Sequence, residues 1–219
     1  MSLQLVRRMR SMFGMAIAAR PAEHDETHGA SELVMYDRPL TWDDLQRTPE
    51  DGLRYELVDG VLLVSPAPRR VHQRVVTNLL TLMTDVVPPG HEVLSAPVDW
   101  YISHTTVFEP DVLVVHVDQP DERRVDRTPL LAVEVLSPST RLRDLSLKRR
   151  YYGDAGLEWY WVIDPDREKP RLTVHRLVGD RYVEDAVVVG DDEYVADGAP
   201  TFGASIVPGR LVEPHRDRR

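Results

Sequence analysis

Two near-continuous apolar runs constrain this chain most: Asp111–Val117 reads DVLVVHV and Leu130–Leu136 reads LLAVEVL. Strands that stay apolar at consecutive positions have both faces covered, so both runs are expected near the centre of a sheet with layers on either side. Each run admits one acid, Asp111 at the opening of the first and Glu134 inside the second. A carboxylate in such surroundings is costly unless it is paired, protonated or bound to a metal. Two acids on adjacent strand ends can share one divalent cation. The competing reading of Asp111 is a cap after the Pro110 turn. That of Glu134 is an edge-strand residue facing solvent. Against the second stand Leu131, Val133 and Val135, which alternation places together on the opposite face.

Spacing predicts the remaining elements. Thr41 caps a short helix through Trp42 and Leu45, with Asp43 and Asp44 at its positive end. Tyr55–Ser65, YELVDGVLLVS, sets two β-prone runs around Asp59-Gly60, the signature of a type I′ hairpin. Val71, Val75, Leu79, Met83 and Val86 step by three or four and predict a helix that ends at Pro88-Pro89-Gly90. A strand is expected over His91–Ile102 and a basic helix over Arg141–Asp154, capped by Ser139 or Thr140. Glu158–Ile163 reads as a further strand, and Arg171–Leu177 with Arg181–Val189 as a hairpin around Gly179-Asp180. The order predicts an α/β domain: one mixed β-sheet flanked by helices.

With no cysteine among 219 residues, disulfides, thiolate metal sites and cysteine nucleophiles are excluded, and a reducing cytoplasm is the expected location. Any metal must be held by carboxylate oxygens or imidazoles, and the former favour Mg²⁺ or Mn²⁺. The net charge of −9 argues against indiscriminate coating of nucleic acid. Basic charge is nevertheless concentrated: Arg141, Arg143, Lys148, Arg149 and Arg150 stand against Asp144 alone. No run approaches the ~18 apolar residues of a membrane span, so no membrane partner is expected. Arg7, Arg8 and Arg10 before Met12–Ala19 imitate a signal peptide, but that run is short and broken by Gly14. Residues 1–34 are expected to be a disordered extension, 35–213 the domain and 214–219 a tail.

YELVDG at Tyr55–Gly60, EPDV at Glu109–Val112, VEVLSPST at Val133–Thr140, RDLSLKRRYY at Arg143–Tyr152 and GLEWYWVIDP at Gly156–Pro165 follow one another in order. Together with His72, these stretches resemble the Uma-two restriction endonuclease family of the PD-(D/E)xK nuclease superfamily, over about Leu40 to Val212. The resemblance implies a restriction-endonuclease-like core and metal-dependent cleavage of nucleic acid, DNA first. It casts Asp111, Glu134 and the carbonyl of Val135 as metal ligands. In the superfamily pattern a Lys stands two residues after the second acid, where this chain has Leu136. The resemblance implies that Lys148, on the following helix, replaces it, and that Glu56 is a further carboxylate of the site.

Local sequence alone reads Lys148 as a surface pair with Asp144 and Glu56 as a solvated hairpin residue. His72 and Gln73 are assigned supporting roles. Arg141, Arg143, Arg149 and Arg150 are candidates for phosphate contact, against the common alternative of a solvated basic face. Tyr151, Tyr152, Trp159 and Trp161 read as sheet-packing aromatics. Two further classes compete with an Mg²⁺-dependent endodeoxyribonuclease: a nuclease-derived DNA- or protein-binding module without turnover, and a metalloenzyme for another phosphoester. Restriction enzymes commonly act as dimers, so a homodimer is compatible with the resemblance.

Overall fold

The computed structural model describes residues 32–34, 36–120, 123–138, 141–196 and 199–214. In chain order the strands and helices begin with β1 (Glu32–Val34), α1 (Trp42–Leu45), β2 (Arg54–Val58), β3 (Val61–Ser65) and α2 (Arg70–Thr84). There follow β4 (His91–Ser95), β5 (Asp99–Ser103), β6 (Thr106–Phe108), β7 (Val112–His116), β8 (Arg124–Val125) and β9 (Leu131–Val135). A π-helical segment, π1 (Arg143–Lys148), leads into α3 (Arg149–Asp154). The chain closes with β10 (Trp159–Asp164), β11 (Arg171–Val178), β12 (Arg181–Val189) and α4 (Pro208–Val212). It divides into two compact units, residues 1–67 with 101–109 and residues 68–100 with 110–219.

In the first unit β1, β3, β2 and β6 lie side by side. The β2–β3 turn is the hairpin expected at Asp59-Gly60, whose φ angles of 49° and 78° are those a type I′ turn requires. Gly60 also admits a close approach: its carbonyl accepts the Leu40 N–H at 2.8 Å, and Pro39 packs directly on its Cα. Behind this hairpin Leu40, Leu45, Tyr55, Leu57, Leu62, Val64 and Val107 form an apolar cluster. Ordered pairing starts ahead of the expected boundary at residue 35, because Glu32–Val34 already pair with Leu62–Val64 of β3.

The second unit is built on a mixed sheet in the order β12-β11-β10-β9-β7-β4. β9 and β10 run parallel and are joined through π1 and α3, whereas β7 and β9 are antiparallel. Both apolar runs of the sequence are central strands, as expected. One sheet face is wholly apolar: Val112, Val114, Leu131, Val133, Val135, Trp159, Trp161 and Ile163 pack on Val75, Val76, Leu79 and Met83 of α2. Alternation therefore sends Glu134 and Tyr160 to the other face.

Two expected elements differ in the structure. His91–Ile102 is two strands rather than one, because the chain turns at Ala96-Pro97 and Pro97 has no N–H with which to continue a ladder. Arg141–Asp154 is helical, but its segment Arg143–Lys148 is a wide π turn rather than α. The expected caps at Ser139 and Thr140 lie outside the described residues. Among the described residues, no helix is long and apolar enough to cross a membrane.

Candidate functional site

The two strand acids are brought together by register. Val112 pairs with Val133 across β7 and β9, and one further step along the same antiparallel register sets Asp111 opposite Glu134. Both are buried, at 1% exposure each, which removes the solvent-facing reading of Glu134.

Each acid is held by a different set of donors. Asp111 Oδ2 accepts the Val135 N–H at 2.7 Å and stands 2.9 Å from His72 Nε2. His72 belongs to the first turn of α2 and is buried rather than exposed, so the helix covering the apolar face also delivers an imidazole to the strand end. Glu134 Oε1 accepts two donors from the following helix, Lys148 Nζ at 2.8 Å and the Tyr152 hydroxyl at 2.7 Å. Lys148 is completely buried, which overturns its reading as a surface residue. The Asp144 contact expected from its i,i+4 spacing exists as well, at 3.9 Å, but inside the protein.

Helical spacing explains the arrangement. Asp144, Lys148 and Tyr152 follow at intervals of four, and the wide turn of π1 keeps the first two on the stripe that faces the sheet. Behind them Tyr160 of β10 donates its hydroxyl to the Asp144 carbonyl at 2.7 Å. Burial, then the neighbouring Glu134 and Asp144 charges, push the Tyr160 phenol well above its ordinary range, so it remains a donor. Tyr152 packs edge-on against Tyr160 at 5.2 Å between centroids and tilted against Trp100 at 5.0 Å. Sequence reasoning counted Tyr152 as core and missed its hydroxyl; the signal available was its spacing of four from Lys148.

Glu56 belongs to the first unit, where it is fully buried on β2 and accepts the Glu109 N–H at 3.0 Å. It is not the solvated residue that its hairpin position suggested. Gln73 is exposed on α2, where its main-chain carbonyl accepts the Thr77 hydroxyl. Arg141 pairs with Asp164 at 2.6 Å, Arg149 donates to the Tyr182 carbonyl at 2.9 Å, and Arg150 approaches Asp154 at 3.7 Å. For Arg143 the structure describes only the main chain. Of the four packing aromatics, Tyr152, Trp159 and Trp161 are buried and Tyr151 is half-buried.

Among the described residues, no group of three or more His, Asp or Glu side chains is disposed to hold a metal ion. The donor set at the strand ends still fits a hard cation. Mg²⁺ keeps several waters and is commonly held by one or two carboxylates, and the paired Asp111 and Glu134 with the adjacent Val135 carbonyl supply oxygen only.

Comparison with known proteins agrees with the fold. Residues 42–206 match the family model Uma2, described as "Putative restriction endonuclease". A crystal structure of a "putative nuclease belonging to DUF820" from Anabaena variabilis ATCC 29413 superposes with a TM-score of 0.62 at 18% identity, covering 80% of this chain and 98% of that one. No curated protein matches the chain.

Proposed function

The chain belongs to the Uma2 family, and from that premise we propose that it is a metal-dependent endonuclease whose centre is the Asp111, Glu134 and Lys148 cluster, acting on DNA. The observation that carries this reading is the 2.8 Å contact between Lys148 Nζ and Glu134 Oε1. A lysine is thereby delivered to the acid from the helix, while Leu136 occupies the strand position that the PD-(D/E)xK pattern gives to lysine.

Asp111, Glu134 and the Val135 carbonyl are the groups that would hold Mg²⁺ or Mn²⁺. Such an ion, when bound, lowers the pKa of a coordinated water and offsets charge developing on a scissile phosphate. The chain's own part is preorganisation. His72 and the Val135 N–H fix Asp111, while Lys148 and Tyr152 fix Glu134, so little reorientation is left for the reaction itself. The Lys148 ammonium stands beside Glu134, where it can orient an attacking water and balance negative charge on phosphate. Exposed Arg141 and Arg150 are the arginines offered for backbone contact. Glu56 enters through the resemblance, Gln73 through its place at the start of α2 and Arg143 through the basic segment to which it belongs. A homodimer would present two such centres to a duplex, and the cysteine-free composition suits a cytoplasmic location.

Incubation with plasmid and single-stranded DNA in Mg²⁺ tests the reading. Asp111→Ala, Glu134→Ala and Lys148→Ala are each expected to slow cleavage by about 10²–10³-fold. Equal activity of these variants and the wild type would sink it, as would calorimetry showing no divalent binding. A second reading, a nuclease-derived DNA-binding module without turnover, draws on Leu136 and on the lack of a three-side-chain metal group among the described residues. It predicts salt-sensitive DNA binding without cleavage, indifferent to Glu134→Gln.

A further inference from the structure

We infer that Tyr152 is a positioning residue of this centre, fixing Glu134 for cation binding. The inference rests on the nuclease reading above.

Lys148 lies between two buried acids, Glu134 Oε1 at 2.8 Å and Asp144 Oδ1 at 3.9 Å. An ammonium on a four-carbon stem is a compact charge with three rotatable donors, and by itself it discriminates weakly between neighbouring carboxylates. The Tyr152 hydroxyl has one proton to give, and it gives it to Glu134 Oε1, the oxygen that also takes the lysine. Two donors converging on one oxygen restrict the rotation of the carboxylate more than either does alone. They arrive from one helix face four residues apart, so their separation is fixed by the helix itself.

Packing does not account for the hydroxyl. The ring is fully buried against Trp100 and Tyr160, and phenylalanine would fill the same volume without a polar atom to satisfy. The neighbouring phenol cannot substitute, because the Tyr160 hydroxyl is directed to the Asp144 carbonyl at 2.7 Å.

Tyr152→Phe removes the hydroxyl and keeps the ring. In calorimetric titrations with Mn²⁺ the full-length variant is expected to bind ~10-fold or more weakly than wild type, the range for groups that orient metal-binding side chains. Its kcat on plasmid is expected to fall by a similar factor, with KM for DNA unchanged. Trp100→Phe, a packing control, is expected to lower the melting temperature and leave Mn²⁺ affinity as it was.

Wild-type Mn²⁺ affinity in Tyr152→Phe overturns the inference and leaves the nuclease reading standing. A Tyr152→Phe protein that fails to fold overturns it too, since a hydroxyl that only positions Glu134 is not needed to pack the ring. Absence of Mn²⁺ binding in wild type, or equal binding by Asp111→Ala, removes the nuclease reading and this inference with it.

Discussion

Lys148 and Glu134 meet at 2.8 Å, 14 residues apart along the chain, with both side chains sealed from solvent. Two charges in such a place are held at a large desolvation cost, which their attraction and added hydrogen bonds offset only while both are present. Such a pair is expected to contribute little net stability while making the loss of either half alone costly.

Its removal should show that asymmetry. Lys148→Ala leaves Glu134 buried without its cation and is expected to cost about 3–5 kcal/mol in urea denaturation at neutral pH. The double variant Lys148→Met/Glu134→Leu is expected to regain most of that loss while remaining inactive on DNA. A double variant no more stable than the single one would show that the pair contributes net stability.

Acid sensitivity is expected from the first unit. Both oxygens of Asp44 accept from the Arg38 guanidinium, at 2.6 and 2.7 Å, and this contact holds the carboxyl down to about 2, against the opposing effect of burial. A carboxyl depressed by folding contributes stability that is complete above its unfolded value of about 4 and is lost as pH falls through about 2. Arg38 is half exposed, so screening reduces the contribution to roughly 1–2 kcal/mol. Arg38→Met is expected to lose that amount at pH 7 and to flatten the decline in stability between pH 4 and pH 2. Urea midpoints across a pH series check both.

Gly60 should tolerate no side chain. Its φ is 78°, and an added Cβ would lie 2.5 Å from the Cβ of Pro39 and 2.8 Å from its Cα. Backbone strain and overlap act together, so Gly60→Ala is expected to destabilise by about 2–4 kcal/mol. A loss under 0.5 kcal/mol in denaturant titration would mean that Pro39 yields freely.

What could be read from the sequence depended on how local its cause was. The hairpin was legible because Asp59-Gly60 carries its own backbone preference, and the burial of Glu134 because alternation with Leu131, Val133 and Val135 is a property of one strand. Lys148 was not legible from its surroundings. Its nearest apparent partner, Asp144, suggested a surface pair, and only the return of the helix onto the sheet brings it to Glu134. His72 was named as a supporting residue, but its partner was hidden for the same reason, Asp111 lying 39 residues away. Glu56 misled because four successive residues of β2 are buried, so alternation no longer marks a solvent face. Tyr152 showed a different limit: composition identifies a ring as core but says nothing about where its hydroxyl is spent.

The parallel connection from β9 through π1 and α3 to β10 carries a consequence for how the centre assembles. Glu134, Lys148 and Tyr152 all lie within this single crossover, whereas Asp111 and His72 come from earlier, separate elements. Closing a short stretch of chain costs less entropy than closing a long one. The acid–lysine contact is therefore cheaper in chain entropy to close than the aspartate–imidazole contact. The centre thus joins a local half, 14 residues from acid to lysine, to a distant one, 39 residues from imidazole to aspartate.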